Sequence, residues 1–179
     1  MFPNLKADIA RYIKKDDSQN QLKEILYLLF DQGFWAVMVY RFCHWAHQIQ
    51  IPILSILLKL FSFFLSKATE VMTGISIPAS AQIGPGFYVG HFGGIILHTQ
   101  VKMGKDSSIG SGVVIGTRGL GDQGVPTIGD NVYIGVGAKV LGKVKIGNDV
   151  KIGANAVVLD DIPDGATVVG IPAQIVRRC

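Results

Sequence analysis

The side chain in this sequence best suited to moving a proton at neutral pH is His91, set in the run Gly90-His91-Phe92-Gly93-Gly94. An imidazole titrates where a general base is needed, and flanking glycines let another backbone come close. His98 is a second, weaker candidate, while His44 and His47 lie in a stretch with helical spacing where a structural role is expected. Arg118, Asp122 and Gln123 stand among glycines in a segment that could offer an acceptor polar contacts. Cys43 and Cys179 match no metal-ligand spacing and form no disulfide framework, so neither a metal nor an oxidising compartment is expected.

These residues must be held by something, and the chain changes grammar near Thr73-Gly74. Only Gly33 of the 22 glycines precedes Gly74, whereas most aromatics do. Before that point the apolar spacing predicts helices over about 5–15, 19–31, 34–48 and 53–71, with Gly74 as a stop signal. Residues 1–73 are therefore read as an α-helical segment and 74–179 as a second unit. The run Ile51 to Leu65 is almost wholly apolar but short for a membrane span and interrupted by Lys59. It reads either as a helix buried against neighbouring elements or a partner subunit, or as a helix lying on a membrane surface.

After Gly74 a period of six emerges. Ile77, Ile83 and Val89 begin it, Leu97, Met103, Ile109 and Ile115 continue it, and Ile128, Ile134, Val140, Ile146, Ile152 and Val158 complete thirteen positions. Most are followed by glycine. Such hexads mark a parallel β-helix, in which three short strands make one triangular coil around stacked aliphatic rungs. Thirteen rungs predict a little over four coils. The period breaks twice: the step from Val89 to Leu97 is eight and extrudes the turn around His91, and the step from Ile115 to Ile128 is thirteen and extrudes Thr117 to Thr127. Function in a solenoid is expected at such interruptions.

Seventeen basic residues against 13 acidic give a net charge of +4, with no basic cluster longer than two residues, which argues against nucleic acid. Met1 to Lys15 lacks a continuous apolar run, so a cytoplasmic protein is expected, with peripheral membrane contact through 51–65 as an open possibility.

The hexad array, the run Gly-Phe-Trp-Ala-Val-Met-Val-Tyr-Arg-Phe-Cys-His-Trp at 33–45 and the ending Gly170-Ile171-Pro172-Ala173 resemble the serine acetyltransferase family of hexapeptide-repeat acyltransferases over roughly Gly33 to Arg177. The resemblance implies a mainly β fold, a left-handed parallel β-helix preceded by helices. It implies homotrimers with acetyl-CoA between adjacent prisms and His91 as the base that activates an acceptor hydroxyl. It also implies backbone contacts to the pantetheine arm at Gly116, Val136 and Ala154, an amide near Gly116 for the oxyanion, and phosphate contacts at Lys151 and Arg177.

The sequence departs from the family at the acceptor side. Ser76 occupies the place of the aspartate paired with the histidine, leaving a backbone carbonyl as the expected partner of His91; Gly90 replaces an aspartate, and Gly124-Val125 replace an Arg-His pair. Ser76, His98, Arg118 and Asp122 are then the candidate acceptor contacts. A neutral acceptor needs no charge clamp, so the favoured expectation is a sugar hydroxyl of an envelope or exopolysaccharide, the resemblance being nearest to capsule-associated members. L-Serine is the alternative, and a non-catalytic scaffold a third reading.

Overall fold

The computed structural model describes residues 2–13, 28, 30–119, 121 and 123–178. Among the described residues three helices lead the chain: α1 (Phe2–Tyr12), α2 (Gln32–Gln48) and α3 (Pro52–Thr73). The helix expected over 19–31 falls almost wholly outside the described residues. Asp31 caps α2 by accepting from the Phe34 amide at 2.8 Å. Pro52 opens α3, where its missing N–H costs nothing, and Gly74 ends it in the left-handed region at φ 66°.

From Ile75 the chain winds a three-sided parallel coil. The first face stacks Ile75–Ser76, Ile95–Leu97, Val114–Gly116, Lys139–Leu141 and Val157–Val158. The second stacks Gln82–Ile83, Lys102–Met103, Thr127–Ile128 and Lys145–Ile146. The third stacks Tyr88–Val89, Ser108–Ile109, Tyr133–Ile134, Lys151–Ile152 and Ala166–Val169, and an antiparallel strand, Gln174–Arg178, closes its far edge.

The register turns the six-residue period into rungs: Leu97 lies beside Ile115, Met103 beside Ile128 and Ile109 beside Ile134. Two features exceed the expectation. A fifth coil forms, with Ile162 bridged to Ile146 and Val168 paired with Ile152; it escaped the hexad count because the step from Val158 to Ile162 shrinks to four. A second inward position also recurs two residues before each rung, where Ala81, Phe87, Val101, Val113, Val132, Ala138, Val144, Val150 and Ala156 are all buried. Most of these are small, because they fill the corners of the prism.

The corners are stitched from coil to coil by side chains. Asp130 accepts from the Lys105 amide at 2.9 Å, Asn148 from that of Asp130 at 2.8 Å, and Asp164 from that of Asn148 at 2.7 Å. At the next corner Asp106, Asn131 and Asp149 all take positive φ, which Asn and Asp tolerate better than other side chains.

The helices close the open edge of the first coil. Arg41 is buried and paired with buried Asp8 at 2.7 Å, while its other nitrogens donate to the carbonyls of Ile83 and Gly84. Asp8 accepts from the Phe87 amide at 2.8 Å. Tyr40 accepts from the Ile83 amide and donates to Ala81 O, and Tyr12 accepts from the Val89 amide at 3.0 Å. Burial pushes both phenols well above their ordinary titration range, so they stay neutral. Gly33 lets α2 lie directly on this edge, since a Cβ there would sit 2.5 Å from Val89 O. Ala36, Val37 and Tyr40 thereby join the same core as the rungs.

The reading of 51–65 as a helix buried against its neighbours does not hold within the chain. Helix α3 exposes Ile53, Ile56, Leu57, Leu60, Phe61, Phe63 and Phe64, and among its residues only Ser62 and Thr73 are buried.

Replacing Asp8 with Ala strands a buried guanidinium and the Phe87 amide together, and should cost about 3–5 kcal/mol. Urea unfolding of the variant against the parent protein measures it; a loss under about 1 kcal/mol would refute the edge-closing role.

Candidate functional site

His91 owes its position to an insertion at one corner of the prism. Gly90 still donates to Ile109 O at 2.9 Å, and Gly93 O accepts from the Gly112 amide at 2.8 Å. In the coil below, the same corner is turned by Gly110-Ser111-Gly112, so Gly93 stacks on Ser111 and the two extra residues are His91 and Phe92. Gly93 and Gly94 take φ of 98° and 66°, which returns the chain to register beside Gly74. Both inserted side chains stand exposed. The imidazole makes no hydrogen bond among the described residues, so the expected backbone carbonyl on its second nitrogen is absent.

Below His91 the corner forms a column. Ser111 O accepts from Gly137 N and Val136 O from Asn155 N, each at 2.8 Å, which places Ser111, Val136 and Ala154 one beneath another. Val136 and Ala154 are exposed, and their amides donate to nothing among the described residues. A chain of free N–H donors at an open corner suits an extended ligand that carries amide carbonyls. Close stacking requires small residues inside it: a Cβ at Gly110 or Gly135 would fall 2.8 or 2.7 Å from the amide nitrogens of Val136 and Ala154.

Lys139 belongs to this corner and escaped the sequence reading, because a lysine within a hexad looks like solvated surface. Its ammonium donates to Gly112 O at 2.5 Å and Gly137 O at 3.0 Å, fixing a cation under the turn that carries His91. No sequence signal marked it; only the corner geometry does.

The remaining expected residues fall into three groups. Lys151 and Arg177 occupy one row of the third face, in register with Thr167 between them, at the end of the prism where Ala154 lies. Gly116 lies on a different corner, buried, with His98 as the nearest neighbour of its open side. His98 is half-buried and its Nδ1 accepts from the Gln100 amide at 3.2 Å. Arg118 lies on the same corner and donates to Leu141 O, and Asp122 is outside the described residues. The single chain therefore does not bring Gly116, His98 and Arg118 together with His91, Val136 and Ala154.

Ser76 is half-buried and lines a cavity of about 290 Å³ between α2, α3 and the first coil, together with Thr99 and the Lys67–Glu70 ion pair. It makes no hydrogen bond to His91. Val125, at one of the positions where the resemblance leads one to expect an Arg-His pair, packs against the core and Pro126 beside it is buried. His44 and His47 bond to Ala79 O and Cys43 O, the structural roles expected of them.

Residues 126–160 match the bacterial transferase hexapeptide model of six repeats. A serine acetyltransferase of Synechococcus elongatus is 36% identical over 181 residues, covering 99% of this chain and 70% of the relative. One from Helicobacter pylori strain J99 is 34% identical over 179 residues, covering 98% of both chains. The chain belongs to the serine acetyltransferase family. The crystal structure of a serine acetyltransferase from Brucella abortus in complex with coenzyme A aligns with 99% of this chain and 68% of that one, at a TM-score of 0.84 and 28% identity. The fold is accordingly the left-handed parallel β-helix implied by the hexads, and the protein is an acyltransferase.

Replacing Lys139 with Met leaves two corner carbonyls without their cation and should destabilise the protein by about 1–3 kcal/mol. Chemical denaturation measures this, and turnover should fall with it as the His91 turn loosens; unchanged values of both would show the contact to be idle.

Proposed function

We propose that this protein transfers an acetyl group from acetyl-CoA to an acceptor hydroxyl, with His91 as general base. The observation that carries this is the two-residue insertion that stands an unpartnered imidazole at the head of a column of free backbone amides. In this reading the pantetheine arm runs down the Val136–Ala154 corner toward Lys151 and Arg177, whose charges meet the phosphates. His91 takes the proton of the acceptor hydroxyl, the oxygen attacks the thioester carbonyl, and the tetrahedral intermediate collapses with loss of the CoA thiolate. Gly116, His98 and Arg118 serve the same reaction only across a protomer boundary, which supports a homotrimer in which one prism's corner faces its neighbour's.

L-Serine is the acceptor that the comparisons favour, since the relatives that match along the length of this chain carry that activity in their name. This reverses the preference for a sugar drawn from the sequence. One set of observations still supports a neutral sugar hydroxyl as a second reading: Gly90, Gly124 and Val125 offer no charge for an ammonium or a carboxylate, and Val125 is committed to the core. An amino acid would then rely on Arg118 and Asp122. A scaffold without catalysis is disfavoured by the open amide column.

His91→Ala should lower turnover by about 10²-fold or more while leaving the thermal unfolding curve in place. Full turnover in that variant, with an acceptor that the parent protein acetylates, would remove the base from His91. Release of CoA thiol with L-serine, set beside a panel of sugars and glycosides, separates the two acceptors: rate with serine and none with sugars selects the amino acid, and the converse selects the carbohydrate.

A further inference from the structure

Helix α3 is inside out for a soluble chain. The side it turns toward α2 and the coil is mostly small and polar, with Ser55, Ser62, Ser66, Thr69 and Thr73 beside Leu58 and Leu65, whereas the outward side from Ile53 to Phe64 is built from Ile, Leu and Phe, followed one turn later by exposed Lys67, which pairs with Glu70. At 100° per residue the outward apolar residues cover about 180° of the circumference. Ile53, Ile56, Leu57, Leu60, Phe61, Phe63 and Phe64 are each more than half exposed, and a contiguous apolar face of this kind marks a surface that something covers.

We propose that α3 lies flat on an anionic lipid bilayer with this half of its circumference immersed. Three observations select that occupant. The apolar half is wider than the narrow seam one partner helix covers. No Asp or Glu occurs between Asp31 and Glu70, and with Arg41 buried against Asp8 the exposed Lys and Arg side chains of that stretch are Lys59 and Lys67. Lys59 stands at the border of the apolar half, exposed and without an ion pair among the described residues, placed for its stem to lie along apolar surface while its ammonium meets a lipid phosphate. The helix does not cross the membrane, because its polar side packs along α2, where the Cys43 thiol donates to Ser62 O at 3.5 Å, and Phe61 at the margin of the apolar half meets Phe42 edge to face.

Flotation of the full-length protein with phosphatidylcholine vesicles, with and without phosphatidylglycerol, tests this. The protein should rise with the anionic vesicles and much less with the neutral ones. Lys59→Glu should weaken flotation several-fold, and the double variant Leu57→Asp, Phe64→Asp should abolish it with an unchanged melting curve, since both side chains are exposed. Absence of flotation with either vesicle overturns the proposal, as does equal flotation with both. Sedimentation of the lipid-free protein covers the remaining case: an assembly that the double variant dissolves, together with no vesicle binding, assigns the face to a second copy of this chain.

Discussion

A parallel coil has two ends, and at the first of them every strand presents amide and carbonyl groups with nothing to pair with. In this protein the debt falls on four side chains from two helices: Asp8, Tyr12, Tyr40 and Arg41 take up groups of Ala81, Ile83, Gly84, Phe87 and Val89. Buried ion pairs rarely add much stability over apolar packing, but once present they tolerate only one arrangement. The Asp8–Arg41 pair therefore fixes where α1 and α2 sit, and with them the strand that ends at Val89.

That strand leads straight into the turn bearing His91. Tyr12 holds Val89 through both its amide and, at 3.4 Å, its carbonyl, two residues before the imidazole. On the other side the Gly93 carbonyl accepts from the Gly112 amide of the coil below, and Ile95, just past Gly94, donates to the carbonyl of α3's terminal glycine. The two inserted residues are thus free while their anchors are not. This is the usual economy of a solenoid: repeats supply rigidity and departures from the repeat supply chemistry.

What could be read in the sequence was what depends on period. Isoleucine and valine at every sixth residue give the rungs, and a step of eight marks the insertion, because both follow from chain geometry alone. The fifth coil stayed hidden where the step to Ile162 shortens, and the corner position filled by Ala81 or Val113 was overlooked because small residues carry little hydropathic signal. Lys139 and the Asp8–Arg41 pair could not have been found at all from spacing, since their partners lie in distant coils or are backbone carbonyls. The outward face of α3 is not legible from its apolar run, which says that the run is covered without saying by what. Acceptor contacts do not follow from period either: Gly90 and Val125 carry no charge, while the likeness to serine acetyltransferases runs along the length of the chain.

The far end of the coil is finished differently, by Gln174–Arg178 folding back antiparallel on Ala166–Val169. A reversed strand cannot template another parallel turn, just as the helices forbid it at the opposite end. A stack of flat, in-register strands is otherwise the geometry of a growing fibril, since each new coil could seat on the last. With Gln174–Arg178 on one edge and Tyr12 taking up the Val89 amide and carbonyl on the other, the third face offers no open parallel strand at either end, and that sheet cannot lengthen by parallel addition.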